Sequence, residues 1–290
     1  MPLTQGNPAH FARNSPGISE MGRIIAVANQ KGGVGKTTTA VNLCAALGVA
    51  EKRTLLIDID PQGNATSGTG ISKHEVVASI YHVIIGEKTL AEVVQPTAIA
   101  SLSVAPSNIN LIGAEIELVN LPEREVRLRD AIAPVVEQYD YIVIDCPPSL
   151  GLLTVNALTA AGSVLIPLQC EYYALEGLSE LLNTIGLIRG SFNEKLALEG
   201  ILLTMYTQRT NLSRQVEDEI REHFPHEVFR TVIPRNVRIS EAPSFGKPVI
   251  LYDIRSKGAE SYLLLAEEII AHDQKGVGTG AGSPHPPEIA

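Results

Sequence analysis

The sequence predicts a single α/β domain: a mainly parallel, twisted sheet flanked by helices on both faces. Three observations predict it. Short, near-continuous apolar runs recur along the chain, with mostly helix-length segments between them. Such alternation, with strands apolar on both sides, is the pattern of a parallel sheet covered by helices. The first apolar run leads directly into a glycine-rich loop and then into a helical pattern. Finally, a hydrophobic content of 44% over 290 residues is ample for the core of one such domain.

The elements follow in chain order. Ile24-Ile25-Ala26-Val27-Ala28 reads as the first, buried strand, and Ala40, Cys44 and Leu47 fall on one face of the helix after the loop. Further strands are expected at Thr54–Asp58, Leu102–Ala105, Tyr141–Asp145, Ser163–Pro167 and Gly200–Thr204, with a short one at Val228–Thr231. No internal repeat is evident. Residues 1–20 read as a flexible extension, because Pro2, Gly6, Pro8, His10, Asn14 and Pro16 interrupt any signal-peptide core, and Met21 offers an alternative start. The folded domain is expected over 21–273. The Gly/Pro-rich stretch 274–290 reads as a disordered tail. No apolar run reaches membrane-spanning length.

The loop carries the chemistry. Lys31-Gly32-Gly33-Val34-Gly35-Lys36-Thr37-Thr38 between a strand and a helix is the layout of a nucleotide-phosphate cradle. Its glycines let backbone N–H groups turn toward phosphate oxygens, and the helix N-terminus adds the positive end of its dipole. Lys36 would reach the outer phosphates, and the Thr37 hydroxyl would ligate Mg²⁺. The loop departs from the general GxxxxGK[ST] form: Gln30 stands where the first Gly belongs, and Lys31 adds a charge. An ordinary Gly-rich turn with solvated lysines is the bland alternative.

Two acidic strand ends complete the site. Asp58 and Asp60 are spaced to share a strand face, if the strand runs that far, and ligands bind at the C-terminal edge of such a sheet. Asp60 before Pro61 is equally an ordinary turn starter. Asp145 closes the run Tyr141–Asp145 ahead of Cys146-Pro147-Pro148. A carboxylate at a buried strand's end can orient the waters of a phosphate-bound Mg²⁺.

These motifs resemble the deviant Walker A ATPases of the ParA/MinD class. That resemblance implies that Asp60 positions the attacking water and that Asp58 and Asp145 hold Mg²⁺ through water. It further implies that Lys31 acts in trans, on the partner's nucleotide, within an ATP-sandwiched homodimer. The stretches Asp58–Thr66, Glu171-Tyr172-Tyr173-Ala174-Leu175-Glu176-Gly177 and Val232–Gly246 look like the chromosomal, Soj-type ParA group, and the match runs from about Gly22 to Ala271. In that group Arg209 and Arg238 match positions used for nonspecific DNA contact, and Pro234 and Asn236 match residues beside the adenine ring. The resemblance implies a cytoplasmic, nucleoid-associated ATPase for chromosome segregation, with ATP and Mg²⁺ as ligands. Its expected partners are double-stranded DNA and a ParB-type protein.

Composition bears on that reading. A net charge of −9 argues against a chain that coats nucleic acid wholesale. Yet Arg230, Arg235, Arg238 and Lys247 face only Glu241 in their own stretch, and Arg209 could join them. Such a patch would neutralise phosphates without reading bases. Surface arginines balancing Glu217, Asp218 and Glu219 are the alternative. Cys44, Cys146 and Cys170 are scattered, as expected of reduced thiols, and form no CxxC pair for an iron–sulfur member of the class. Two rival functions remain: a MinD-like membrane-positioning ATPase, disfavoured because the last helix carries Glu260, Glu267 and Glu268 rather than a basic apolar face, and an enzyme using this fold for ATP-driven carboxyl activation.

Overall fold

Alternate residues of each central strand feed two different cores. The computed structural model describes residues 22–171, 174–207 and 211–277. Its strands are β1 (Arg23–Val27), β2 (Thr54–Asp58), β3 (Gln95–Pro96), β4 (Leu102–Ala105), β5 (Tyr141–Asp145), β6 (Ser163–Gln169) and β7 (Ala197–Thr204). They form one sheet in the order β3-β4-β2-β5-β1-β6-β7, parallel throughout except for the β3–β4 pair. The helices are α1 (Lys36–Val49), α2 (Asn64–Gly68), α3 (Ile80–Ile85), α4 (Leu90–Val93), α5 (Leu111–Leu118) and α6 (Arg127–Ile132). Then come α7 (Leu152–Ala160), α8 (Ala174–Ser191), α9 (Asn211–His223), α10 (Val237–Glu241), α11 (Val249–Tyr252) and α12 (Lys257–Val277).

Ala26, Leu55, Ile57, Ile142, Ile144, Val164 and Ile166 point into the core shared with α3 to α9. Ile25, Val27, Leu56, Val143 and Leu165 point into the other, against α1, α11 and α12. The period-two alternation of a strand therefore meets apolar helices on both sides, which is why these strands read as unbroken hydrophobic runs. The strand ends fall together: Val27 stands beside Asp145 and Leu165, and Asp58 stands beside Asp145.

Three expectations need correction. Val228–Thr231 is not a strand. The segment and its continuation meet β7 at isolated points, the bridges Ile201–Val228 and Tyr206–Pro234 and the Ile233 N–H to Leu203 carbonyl bond at 2.8 Å. Between them the N–H groups of Arg230 and Thr231 donate to the Glu268 carboxylate of α12, at 2.9 and 3.0 Å, instead of to a ladder. The boundary set at Gln274 falls inside α12, which continues to Val277. And β2 stops at Asp58, so the shared-face argument does not extend to Asp60. The short β3 was not expected; its Pro96 is tolerated because β3 is an edge strand. The extension 1–20 and the end of the tail lie outside the described residues.

β7 carries a bulge, with Val164 opposite Leu198 but Leu165 opposite Gly200. The bulged Glu199 is buried, and it accepts from the Ser163 hydroxyl at 2.6 Å and from Arg23 at 2.5 Å. Arg23 also pairs with Asp273, which accepts from the Tyr141 hydroxyl at 2.5 Å and so ties the end of α12 to the sheet. Gly200 is required by close packing: a Cβ there would stand 2.6 Å from the Phe229 ring and 2.9 Å from the Glu227 carbonyl oxygen. Gly200→Ala is expected to destabilise the domain by about 1–3 kcal/mol. A lowered urea midpoint with an unaltered slope would show this; an unchanged midpoint would contradict the packing.

Candidate active site

The glycine loop is built by restraints on its flanks. Asn29, nearly fully buried, spans the entry: its Nδ2 donates to the Pro167 carbonyl at 2.8 Å, and its Oδ1 accepts from the Lys31 N–H at 3.0 Å. From the far side the Thr204 hydroxyl donates to the Val34 carbonyl at 2.8 Å. Gly33 and Gly35 have φ of 77° and 91°, the left-handed region that side chains disfavour. At Gly32 and Gly33 a Cβ would meet no atom within 4 Å, so the loop's crest is open for a ligand. Helix α1 begins at Lys36, so the N–H groups of its first turn, including those of Thr37 and Thr38, are donors of the kind that suits an anion.

Lys36 is 7% exposed, and its Nζ donates to the Lys31 carbonyl at 3.1 Å. Burial lowers its pKa, opposed by the charges of Asp145, Cys146 and Asp60. Lys31 takes another direction. Its ammonium leaves the loop and pairs with Glu171, just after β6, and both side chains are about half exposed.

The three acids divide into different environments. Asp58 is fully buried and saturated: Oδ2 accepts from the Thr66 N–H and hydroxyl, both at 2.7 Å, and Oδ1 from the Asp60 N–H at 3.2 Å. Burial pushes its pKa up to about 6, against the lowering effect of the Thr66 bonds. Its first job is thus to hold the start of α2 and the Asp60 turn. Asp60 sits in that turn, its carbonyl accepting from the Gly63 N–H at 2.9 Å and its Oδ1 from the Gln62 N–H at 2.9 Å. Asp145 is different. It is fully buried, yet neither carboxylate oxygen makes a hydrogen bond of normal geometry. Burial pushes its pKa well up, helped by the charge of Asp58, while the nearby Thr37 hydroxyl and Lys36 favour the ionised form.

A buried carboxylate without partners is costly unless something completes it. A hydrated Mg²⁺ beside Thr37 would do so. Among the described residues no cluster of three His, Cys, Asp or Glu side chains could hold a metal by itself.

The protein-family model described as an AAA domain matches residues 22–198. The chain is 59% identical to the sporulation initiation inhibitor protein Soj of Bacillus subtilis, over 87% of this chain and 100% of that protein. The chain belongs to the ParA/Soj family of ATPases. The chromosome partitioning protein ParA of Myxococcus xanthus is 56% identical over 93% of this chain and 95% of its own length. Among solved structures, cobyrinic acid a,c-diamide synthase from Mycobacterium smegmatis, with bound ATP analog and magnesium, superposes with a TM-score of 0.78 at 37% identity. That match covers 88% of this chain and 97% of the synthase.

In this ParA/Soj chain Gly32 to Thr38, Asp58, Asp60 and Asp145 gather at one sheet edge. Pro234 and Asn236 lie on a separate segment, held to the end of β7 through the Tyr206–Pro234 bridge. Asn236 uses its Oδ1 to cap α10, accepting from the Arg238 N–H at 2.9 Å and the Ile239 N–H at 3.4 Å, so only its Nδ2 remains for a base. Arg235 and Lys247 are exposed and, among the described residues, have no carboxylate partner. Arg238 is not free in this way: it pairs with Glu241 at 2.9 Å and with Asp253 at 3.3 Å. Arg209, like Tyr172 and Tyr173, lies outside the described residues. Sequence reasoning missed Asn29, Thr66 and Thr204. Asn29, two residues before Lys31, was the one within reach of a local argument.

Proposed function

We propose that this ParA/Soj chain is an ATP-dependent DNA-partitioning switch. The observation that carries the reading is the fully buried Asp145 carboxylate, without a hydrogen bond of normal geometry, beside Thr37 and Lys36. ATP would lie along the loop amides, with Lys36 turned from the Lys31 carbonyl to the outer phosphates. Thr37 would ligate Mg²⁺, with Asp145 and Asp58 acting on it through water; the bound ion would offset phosphate charge. Asp60 would orient the attacking water, since phosphoryl transfer needs chiefly positioning and charge. Pro234 and Asn236 would flank the base.

Lys31 would leave Glu171 to reach the nucleotide of a second protomer. Exposed ion pairs contribute little, so that exchange is cheap. The resulting homodimer would bind nonspecific double-stranded DNA on the nucleoid through Arg235, Lys247, Arg238 and Arg209. Slow hydrolysis, stimulated by a ParB-type partner, would release it, in the service of chromosome segregation.

Against a MinD-like membrane role, α12 already commits Ala259, Tyr262, Leu265, Ala266 and Ile269 to the core against α1, so those apolar residues are not available to a membrane surface. Among the described residues no helix is long and apolar enough to cross a membrane. The synthase resemblance, at 37% identity, is outweighed by 59% identity to the Bacillus subtilis Soj protein and 56% to the Myxococcus xanthus chromosome partitioning protein ParA.

The test is retention on a nonspecific duplex with ATP, with ADP and without nucleotide, across a salt series, beside a liposome control. Retention is expected only with ATP. Its salt slope should be about −0.9 per phosphate neutralised, and Arg235→Ala or Lys247→Ala should each shallow it by about 1 per protomer. Arg238→Ala should matter less, because Glu241 and Asp253 must first release the side chain. ATP-dependent sedimentation with liposomes but not DNA would overturn the reading.

A further inference from the structure

Asn42 lies in the second turn of α1, and its side chain is 4% exposed. Its Nδ2 donates to the Thr38 carbonyl at 2.7 Å, and its Oδ1 accepts from the Val249 N–H at 2.7 Å. Both ends of the amide are thereby used, and a flipped amide would set donor against donor and acceptor against acceptor. Val249 follows Lys247 and Pro248, and opens α11. The end of the basic segment is therefore pinned to the helix whose first turn forms the phosphate cradle.

A second contact holds the same place from the other side. Gly246 and Gly70 approach so closely that a Cβ on Gly70 would stand 3.1 Å from the Gly246 carbonyl oxygen, and one on Gly246 would stand 3.3 Å from the Gly70 Cα. Both residues have positive φ, 92° and 61°, so each turn is built around a glycine. Gly70 closes the segment that starts with the Asp60 turn and α2, the helix that Asp58 holds through Thr66.

We propose that residues 246–249 form the joint through which the nucleotide site controls the basic face, with Asn42 as its positioning residue. The inference rests on the DNA-binding reading given above. One arm runs from Lys36–Thr38 through Asn42 to Val249, the other from Asp58 and Asp60 through α2 and Gly70 to Gly246. A triphosphate held at Thr38, with the attacking water held between it and Asp60, would fix the two arms relative to one another. The joint touches both, so the stretch bearing Arg235 and Lys247 takes its position from whether that bridge is complete. This is coupling through packed and hydrogen-bonded neighbours, whose measure is the ratio of ligand affinities in two states.

The experiment is fluorescence anisotropy on a labelled nonspecific duplex, with saturating ATP or ADP, comparing the full wild-type chain with Asn42→Ala. Asn42→Ala should still bind a fluorescent ATP analogue, while its ATP-to-ADP ratio of DNA affinities falls by about tenfold. The ratio is informative because general loosening, which weakens both states equally, leaves it unchanged. An unaltered ratio in Asn42→Ala overturns the coupling alone. A wild-type chain that ignores DNA in every nucleotide state overturns the DNA-binding reading, and this inference with it. Should Asn42→Ala fail to fold, hydrogen exchange of the wild type decides: amides of 243–249 should be protected differently with ATP and ADP, and identical exchange overturns the proposal.

Discussion

Lys36→Ala is expected to abolish nucleotide-driven dimerisation. The ammonium is buried, already held at the loop, and has no described carboxylate in direct contact; its partner in the ground state is only the Lys31 carbonyl. Burial lowers its pKa, and a polyanion arriving at the loop would favour the ammonium and accept strong, charge-assisted hydrogen bonds from it. Losing them should cost about 2–3 kcal/mol of binding, or roughly 30- to 150-fold in ATP affinity. Dimerisation, which would draw on bound triphosphate, falls with it. Lys36→Met is the companion variant, because it keeps the apolar stem that fills the same space. Sedimentation with and without ATP reads the result, and ATP-dependent dimers in both variants would contradict the loop assignment.

The second large effect is at Asp60. Asp60→Ala should bind ATP and accumulate as a DNA-bound dimer, while turnover falls by about 10²- to 10⁴-fold, the usual worth of a positioned acid or base. The side chain also has a structural duty, since Oδ1 accepts the Gln62 N–H. Asp60→Asn separates the two roles. Its amide oxygen can still accept that bond, but it carries no negative charge to orient a water. If the carboxylate is the working group, both variants lose turnover. Single-turnover hydrolysis measures this, and wild-type turnover in Asp60→Asn would reduce Asp60 to a turn residue.

Much of the site was legible because its parts are local. The strand, the glycine loop and α1 follow one another without interruption, and positive φ at Gly33 and Gly35 is a requirement that glycine announces by itself. Asp145 was legible for the same reason, as the polar end of an apolar run before paired prolines. The edge segment was misread because its apolar residues resembled a strand, whereas Glu268 captures the two N–H groups that a ladder would need. The charge reading of Arg238 was incomplete in a similar way. Glu241 is its neighbour in sequence, but Asp253 reaches it only through the fold.

The sequence by itself determined the alternation of the central strands with helices, the glycine loop between β1 and α1, and the acidic ends of β2 and β5. Propensity, glycine and alternation act over a few residues, and those distances are visible in a string. The tertiary structure alone decided which polar groups are left unsatisfied and which are tied down. Thr204 meets Val34 across 170 residues and Asn42 meets Val249 across 207. The packing of α1 and β7 against their neighbours selects those partners, and a buried donor or acceptor takes whichever one the packing brings within reach.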